Sequence, residues 1–132
     1  MNPPSSSTEY ERRRDAILLV DDEPATRRVF ARFLTSAGYR VIEAADGLEA
    51  IEQMALSGRI GLVIADVRMP GMDGPEMVLT VRRHQPDLPV ILVSGFAPPD
   101  RMPPGVRFLA KPFESADLLK VVGELHLAEL GS

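Results

Sequence analysis

The stretch Leu62-Val63-Ile64-Ala65-Asp66 places four apolar residues in direct succession and ends them with a carboxylate. Successive apolar residues are typical of a strand that is covered on both faces, as the strands of parallel sheets are. A carboxylate at the end of such a strand is costly to bury without a partner. The stretch therefore predicts a buried parallel strand whose end, at Asp66, needs other polar groups nearby.

Four more short apolar runs occur along the chain, at residues 17–20, 41–42, 90–93 and 106–109. Segments with helical spacing of apolar residues separate most of them. Neighbouring parallel strands need crossover connections, so this alternation predicts an α/β domain with helices on both faces of a parallel sheet. In such sheets, ligands bind outside the carboxyl ends of the strands.

The segments between the predicted strands contain signals for helix ends. A proline and pairs of capping residues mark helix starts, and glycines mark where helices stop. The predicted helices begin near Pro24, Asp46, Asp73 and Ser115, and the first two end near Gly38 and Gly58. The fourth crossover differs, because residues 95–107 include four prolines. Each proline inside a helix costs about 3 kcal/mol. We therefore expect a short or irregular fourth helix.

The composition favours one ordinary soluble domain. The chain has 132 residues with a formal net charge of −4, and it contains no cysteine. These values exclude disulfide and cysteine-ligated metal sites and argue against direct nucleic-acid binding. No apolar run approaches the roughly 20 residues that span a bilayer. We expect a flexible leader at residues 1–15, a folded domain at 16–130, no membrane segment and a cytoplasmic location.

Chemically useful residues follow the ends of the predicted strands. They are Asp21 and Asp22, Asp66, Ser94 and Lys111. If the sheet order is 2-1-3-4-5, these residues converge on one rim. Three carboxylates together repel one another unless a cation is present, and a hard divalent ion, Mg²⁺ with Mn²⁺ as the alternative, suits them. An ionised aspartate beside that ion can attack phosphorus.

Four strings of the sequence carry a resemblance to a known family. They are Leu18-Leu19-Val20-Asp21-Asp22-Glu23, the run from Asp66-Val67-Arg68-Met69-Pro70 to Gly74, Ser94-Gly95 and Lys111-Pro112-Phe113. Over residues 16–130 the chain resembles the receiver domain of two-component response regulators, most of all receivers of hybrid histidine kinases. The resemblance implies a flavodoxin-like (βα)5 three-layer sandwich with a five-stranded parallel sheet in the order 2-1-3-4-5.

The resemblance also implies a role for each residue of the cluster. Asp66 would be the phosphoacceptor, Asp22 a direct Mg²⁺ ligand, Asp21 a ligand through water, and the Arg68 carbonyl a further ligand. Ser94 and Lys111 would bind phosphoryl oxygens, and Phe108 would act with Ser94 as a conformational switch. The bulky Arg68 and Phe96 border the path of the attacking water in this family, so we expect slow hydrolysis of the phosphoaspartate.

The implied function is that of a signalling protein, not an enzyme acting on other substrates. Its partners would be a histidine kinase, a histidine phosphotransferase or both, and we expect a monomer in isolation. One alternative is a degenerate receiver that binds partners without phosphorylation. A phosphatase of the haloacid-dehalogenase type is another, although it needs an aspartate where Arg68 stands.

Some of these residues also have simpler interpretations. Asp21 and Asp22 could cap the first helix. Phe108 could simply pack in the core.

Overall fold

The computed structural model describes residues 15–56, 60–69, 71–95 and 102–130, with side chains up to residue 125. Five strands and four helices follow one another along this part of the chain. They are β1 (Ala16–Val20), α1 (Pro24–Ser36), β2 (Val41–Ala44), α2 (Gly47–Leu56), β3 (Ile60–Asp66), α3 (Gly74–His84), β4 (Val90–Ser94), β5 (Val106–Ala110) and α4 (Ser115–Leu130).

The strands form a single parallel sheet in the order β2-β1-β3-β4-β5, which confirms the expected topology. In the register, Val20 of β1 lies beside Ala65 of β3. Asp66 lies beside Val93 of β4, and Ser94 beside Ala110 of β5. The residues that end β1, β3, β4 and β5 therefore meet along one rim of the sheet.

Each central strand contributes to two hydrophobic cores because successive side chains point to opposite faces. One core, between the sheet and helices α2 and α3, contains Leu18, Val63 and Leu92. The other, between the sheet and helices α1 and α4, contains Leu19, Ile64 and Ile91. This arrangement explains the unbroken apolar runs of the sequence: a polar residue within these strands would be buried on either face.

The helix ends follow the predicted punctuation, with one difference. Pro24 begins α1, but the residue that caps it is Glu23, whose side chain accepts a hydrogen bond from the backbone N–H of Ala25. Neither Asp21 nor Asp22 is therefore the cap of this helix. Helix α3 begins with the complete capping box that Asp73 and Glu76 predict.

The fourth crossover contains no helix in its described part. Residues 102–105 are extended chain and a turn, and Gly105 has a φ of +77°. The guanidinium of Arg82 in α3 donates hydrogen bonds to the carbonyls of Leu88 and Pro104, which joins this turn to the rest of the domain. Residues 96–101, which include Phe96, Pro98 and Pro99, lie outside the described residues, as do Gly58 and the side chain of His126.

None of the helices in the described ranges is long and apolar enough to cross a membrane.

Candidate functional site

The carboxyl rim of the sheet brings together side chains that are far apart in the sequence. Asp21 directly follows β1, Asp66 is the last residue of β3, and these two strands are paired neighbours. Lys111 directly follows β5. The rim thus collects acidic and basic groups from positions that are 45 residues apart or more, as the rule for strand ends predicts.

Lys111 and Asp66 form an ion pair at this rim. The Nζ atom of Lys111 donates a hydrogen bond to Oδ2 of Asp66 over 2.8 Å, with 30% and 15% of the two side chains exposed. The backbone N–H of Lys111 also donates to the Ser94 carbonyl over 2.7 Å. The backbone of Lys111 is thus fixed to the end of β4, and its ammonium group contacts the aspartate that ends β3.

The second oxygen of Asp66 has a different partner. Its Oδ1 atom accepts a hydrogen bond from the backbone N–H of Arg68 over 3.1 Å. Both carboxylate oxygens of Asp66 thus accept hydrogen bonds. An ionised carboxylate is a nucleophile that needs no general base.

Asp21 is a charged residue in an almost fully buried position, with 3% of its surface exposed. Burial raises the pKa of its carboxyl above the ordinary 3.8, and the carboxylates of Asp66 and Asp22 raise the pKa further. A hydrogen bond from the Glu23 N–H and the charge of Lys111 act in the opposite direction. The rim thus holds a carboxylate that burial and its acidic neighbours destabilise, which is an arrangement that a cation relieves.

The acidic residues fit a magnesium ion in their chemistry. Within the described residues, no three His, Cys, Asp or Glu side chains lie together as a metal-binding group. Mg²⁺ does not require three, because it is held by one or two carboxylates and keeps several waters. The carboxylate of Asp22 is exposed, and those of Asp21 and Asp66 lie at the same rim. These oxygen donors suit a hydrated Mg²⁺ ion, and the metal site stays a prediction.

Ser94 and Phe108 project from the same face of the sheet. Phe108 is the register partner of Leu92, and Ser94 lies two residues further along β4. Ser94 is 1% exposed, whereas Phe108 is only partly buried against the core beneath α2 and α3. The two residues therefore lie on neighbouring strands and on the same face of the sheet, and the switch stays a prediction.

Two residues of the site were missed by the sequence analysis. Gly74 lies so close to the strand that an added Cβ would be 2.9 Å from the Asp66 carbonyl oxygen and 3.0 Å from Val67 Cα. In the sequence, Gly74 stands only as the last residue of the string that begins at Asp66, with no role of its own. Arg27 donates to the Asp21 carbonyl over 2.7 Å, and no spacing in the sequence indicates this contact.

His84, the one histidine with a described side chain, is exposed at the end of α3, remote from the strand ends that form the rim.

A family model described as the response regulator receiver domain matches residues 17–123. The sensor kinase CckA of Brucella abortus (strain 2308) is 43% identical over 115 residues, which are 83% of this chain but 12% of the kinase. The response regulator receiver protein CpdR of the same organism is 32% identical over 117 residues, or 85% of this chain and 97% of CpdR.

Solved structures show the same similarity. The crystal structure of the receiver domain from the hybrid histidine kinase CckA has a TM-score of 0.74 and 42% sequence identity. The match covers 84% of this chain and 98% of that domain. The likeness is therefore to a receiver domain as a whole unit, while this chain spans only a small part of the kinase.

Proposed function

The chain belongs to the response regulator receiver domain family, and from that premise we propose that it accepts a phosphoryl group from a phosphohistidine onto Asp66. The observation that carries this proposal is the 2.8 Å contact between Lys111 and Asp66 beside the buried Asp21. A structural ion pair alone does not explain why a further carboxylate is buried at the same place, since an unpaired buried charge is costly.

The proposed step is an in-line displacement at phosphorus. A carboxylate oxygen of Asp66 forms a P–O bond while the P–N bond of the phosphohistidine breaks, and the imidazole nitrogen keeps the electron pair of that bond. Lys111 lies at the oxygen Oδ2, where it neutralises charge on the transferred group. The N–H of Arg68 orients the other oxygen.

Receiver domains in general bind Mg²⁺ at the site of phosphorylation, and the acidic residues of this rim would hold it. Asp22, Asp66 and the Arg68 carbonyl would be its direct ligands, and Asp21 would act through water. The ion would supply positive charge opposite the developing negative charge of the phosphoryl oxygens.

Phosphorylation would then reach the surface through Ser94. A new phosphoryl group would accept a hydrogen bond from the Ser94 hydroxyl, and Phe108 would take up the space released beside it. Phe108 is suited to this role because it is only partly buried, so a second ring position is not blocked by a closed core.

The partners of receiver domains are in general histidine kinases and histidine phosphotransferases. We include a cytoplasmic location and a monomeric state in the proposal. A phosphorylation-independent receiver is not favoured, because Asp66 and Lys111 are both present and in contact. A haloacid-dehalogenase-type phosphatase is not favoured either, because Arg68 occupies the position of its acid/base aspartate.

The test is covalent phosphorylation of the purified chain. We expect that incubation with Mg²⁺ and a small acyl phosphate donor adds one phosphoryl group, seen by intact-mass spectrometry and lost in hydroxylamine, which cleaves acyl phosphates. Asp66→Asn should abolish the addition. Asp87→Asn, at an exposed carboxylate far from the rim, is the matched control and should leave it unchanged. An Asp66→Asn protein that is still modified to the same extent would contradict the assignment.

A further inference from the structure

Arg27 connects three elements beneath the acidic rim. It lies in the first turns of α1, and 15% of its side chain is exposed. Its Nη1 atom donates to the carbonyl oxygen of Asp21 over 2.7 Å, and its Nε atom donates to Oε1 of Glu43 in β2 over 2.9 Å. One guanidinium group thus joins the start of α1, the end of β1 and the edge strand.

These contacts complete the restraint of Asp21. The backbone N–H of Asp21 donates to the carbonyl of Ala44, the residue that follows Glu43 on the edge strand. The Asp21 side chain accepts from the N–H of Glu23. The contact from Arg27 holds the carbonyl of Asp21. The N–H, the carboxylate and the carbonyl of Asp21 therefore each have a hydrogen-bond partner.

We propose that Arg27 is a positioning residue that sets the affinity of the acidic rim for Mg²⁺. It does so through the Asp21 carbonyl, by holding the turn that carries Asp21 and Asp22 in the orientation that faces Asp66. This inference rests on the proposed function, because it presumes a metal at the rim. Groups that orient metal ligands without touching the metal commonly change the affinity for the metal by about 10- to 100-fold.

The sign of the effect separates positioning from simple electrostatics. A guanidinium group repels a nearby cation, so removal of its charge alone should strengthen Mg²⁺ binding. Loss of positioning should weaken binding instead. Arg28 is the matched control, since it carries the same charge at the next position of the same helix and is exposed.

The experiment is calorimetric titration of Mg²⁺ into the wild-type protein, Arg27→Gln and Arg28→Gln, with thermal unfolding in the absence of metal as the check on folding. We expect the Kd of Arg27→Gln to rise about tenfold. Arg28→Gln should stay within about twofold of the wild type or bind slightly tighter, as an exposed charge has little effect.

An Arg27→Gln protein that is folded and binds Mg²⁺ as tightly as the wild type, or more tightly, overturns the inference and leaves the proposed function standing. Absence of Mg²⁺ binding by the wild-type protein defeats both. If Arg27→Gln does not fold, Arg27→Lys decides the matter. It keeps the charge but lacks the rigid fork whose Nε and Nη1 atoms reach Glu43 and Asp21 separately, so the Kd should still rise about threefold. An unchanged Kd in that variant overturns the inference.

Discussion

The two rims of the sheet, at the carboxyl and the amino ends of its strands, differ in whether their ionisable side chains are buried and in contact. At the carboxyl rim, Asp21 is buried and Lys111 touches Asp66. The amino rim also contains ionisable residues and a cavity of about 340 Å³, lined in part by His84 and Asp87. Those two side chains are exposed to solvent, however.

The difference shows which features identify a functional site in this fold. A cavity does not distinguish the rims, since another of about 510 Å³ lies beside Lys111 and Pro112 at the carboxyl rim. What distinguishes the carboxyl rim is that charged groups from separate strands are in contact and partly withdrawn from water, an arrangement that is common at functional sites. Substitutions at the two rims should therefore have unequal effects.

The largest difference should come from the two lysines of the chain. Lys111→Met should slow phosphorylation by a small phosphodonor about 100-fold, because it removes a positive charge from the oxygens of the transferred group. Lys120→Met, at an exposed position of α4, is the matched control and should leave the rate unchanged. A time course of intact mass measures both. Equal rates for the two variants would mean that the contact at the rim has no part in the reaction.

The next difference concerns two glycines whose surroundings are unlike, Gly74 at the carboxyl rim and Gly123 within helix α4. An added Cβ at Gly74 would meet the backbone of Asp66 and Val67 at 2.9 and 3.0 Å, whereas at Gly123 it would meet nothing within 4 Å. Gly74→Ala should lower the free energy of unfolding by about 2 kcal/mol, because backbone atoms must shift. Gly123→Ala should raise it by about 0.5–1 kcal/mol, because alanine is the better helix former. Urea denaturation compares them, and a loss for Gly123→Ala as large as that for Gly74→Ala would refute the tight packing assigned to Gly74.

The smallest expected effect is on the pH dependence of stability. Burial raises the pKa of Asp21 in the folded protein above its ordinary value of 3.8. At pH values between 3.8 and the raised pKa, the folded state therefore binds more protons than the unfolded state. Stability therefore falls as pH rises through that window. Without metal at pH 7, Asp21→Asn should melt about 3 °C higher than the wild type.

The gain from Asp21→Asn should disappear as the pH falls through the same window, where the wild-type carboxyl becomes neutral. Asp87→Asn should show no gain at either pH, because Asp87 is exposed. A lower melting temperature for Asp21→Asn at pH 7 would show that the charge of Asp21 already has a favourable partner in the metal-free protein.

Local patterns in the sequence predicted most of the fold. The apolar runs predicted the five strands, and Pro24, Asp73 and Ser115 marked helix starts correctly. The order of the strands came from the resemblance to receiver domains, and the sheet confirms it. The prolines of the fourth crossover correctly argued against a regular helix in its described part. These signals succeed because strand burial, caps and proline act within a few residues of where they stand.

The site was only partly accessible to the same reasoning. The rule for strand ends brought Asp66 and Lys111 together, since it depends on topology alone. The contact from Arg27 to Asp21 and the close approach of Gly74 to β3 depend on how packed elements meet. Such contacts join residues whose sequence spacing carries no periodic signal, and they appear only once the helices are placed on the sheet.

The central claim is that the carboxyl rim is a phosphorylation site, and backbone-amide NMR tests it most directly. Mg²⁺ followed by beryllofluoride, a phosphoryl mimic, should shift the amides at Asp22, Asp66, Arg68, Ser94 and Lys111. The amides of the amino rim, at His84, Gln85, Asp87 and Leu88, should stay where they are. An unchanged spectrum, or shifts confined to the amino rim, would contradict the account.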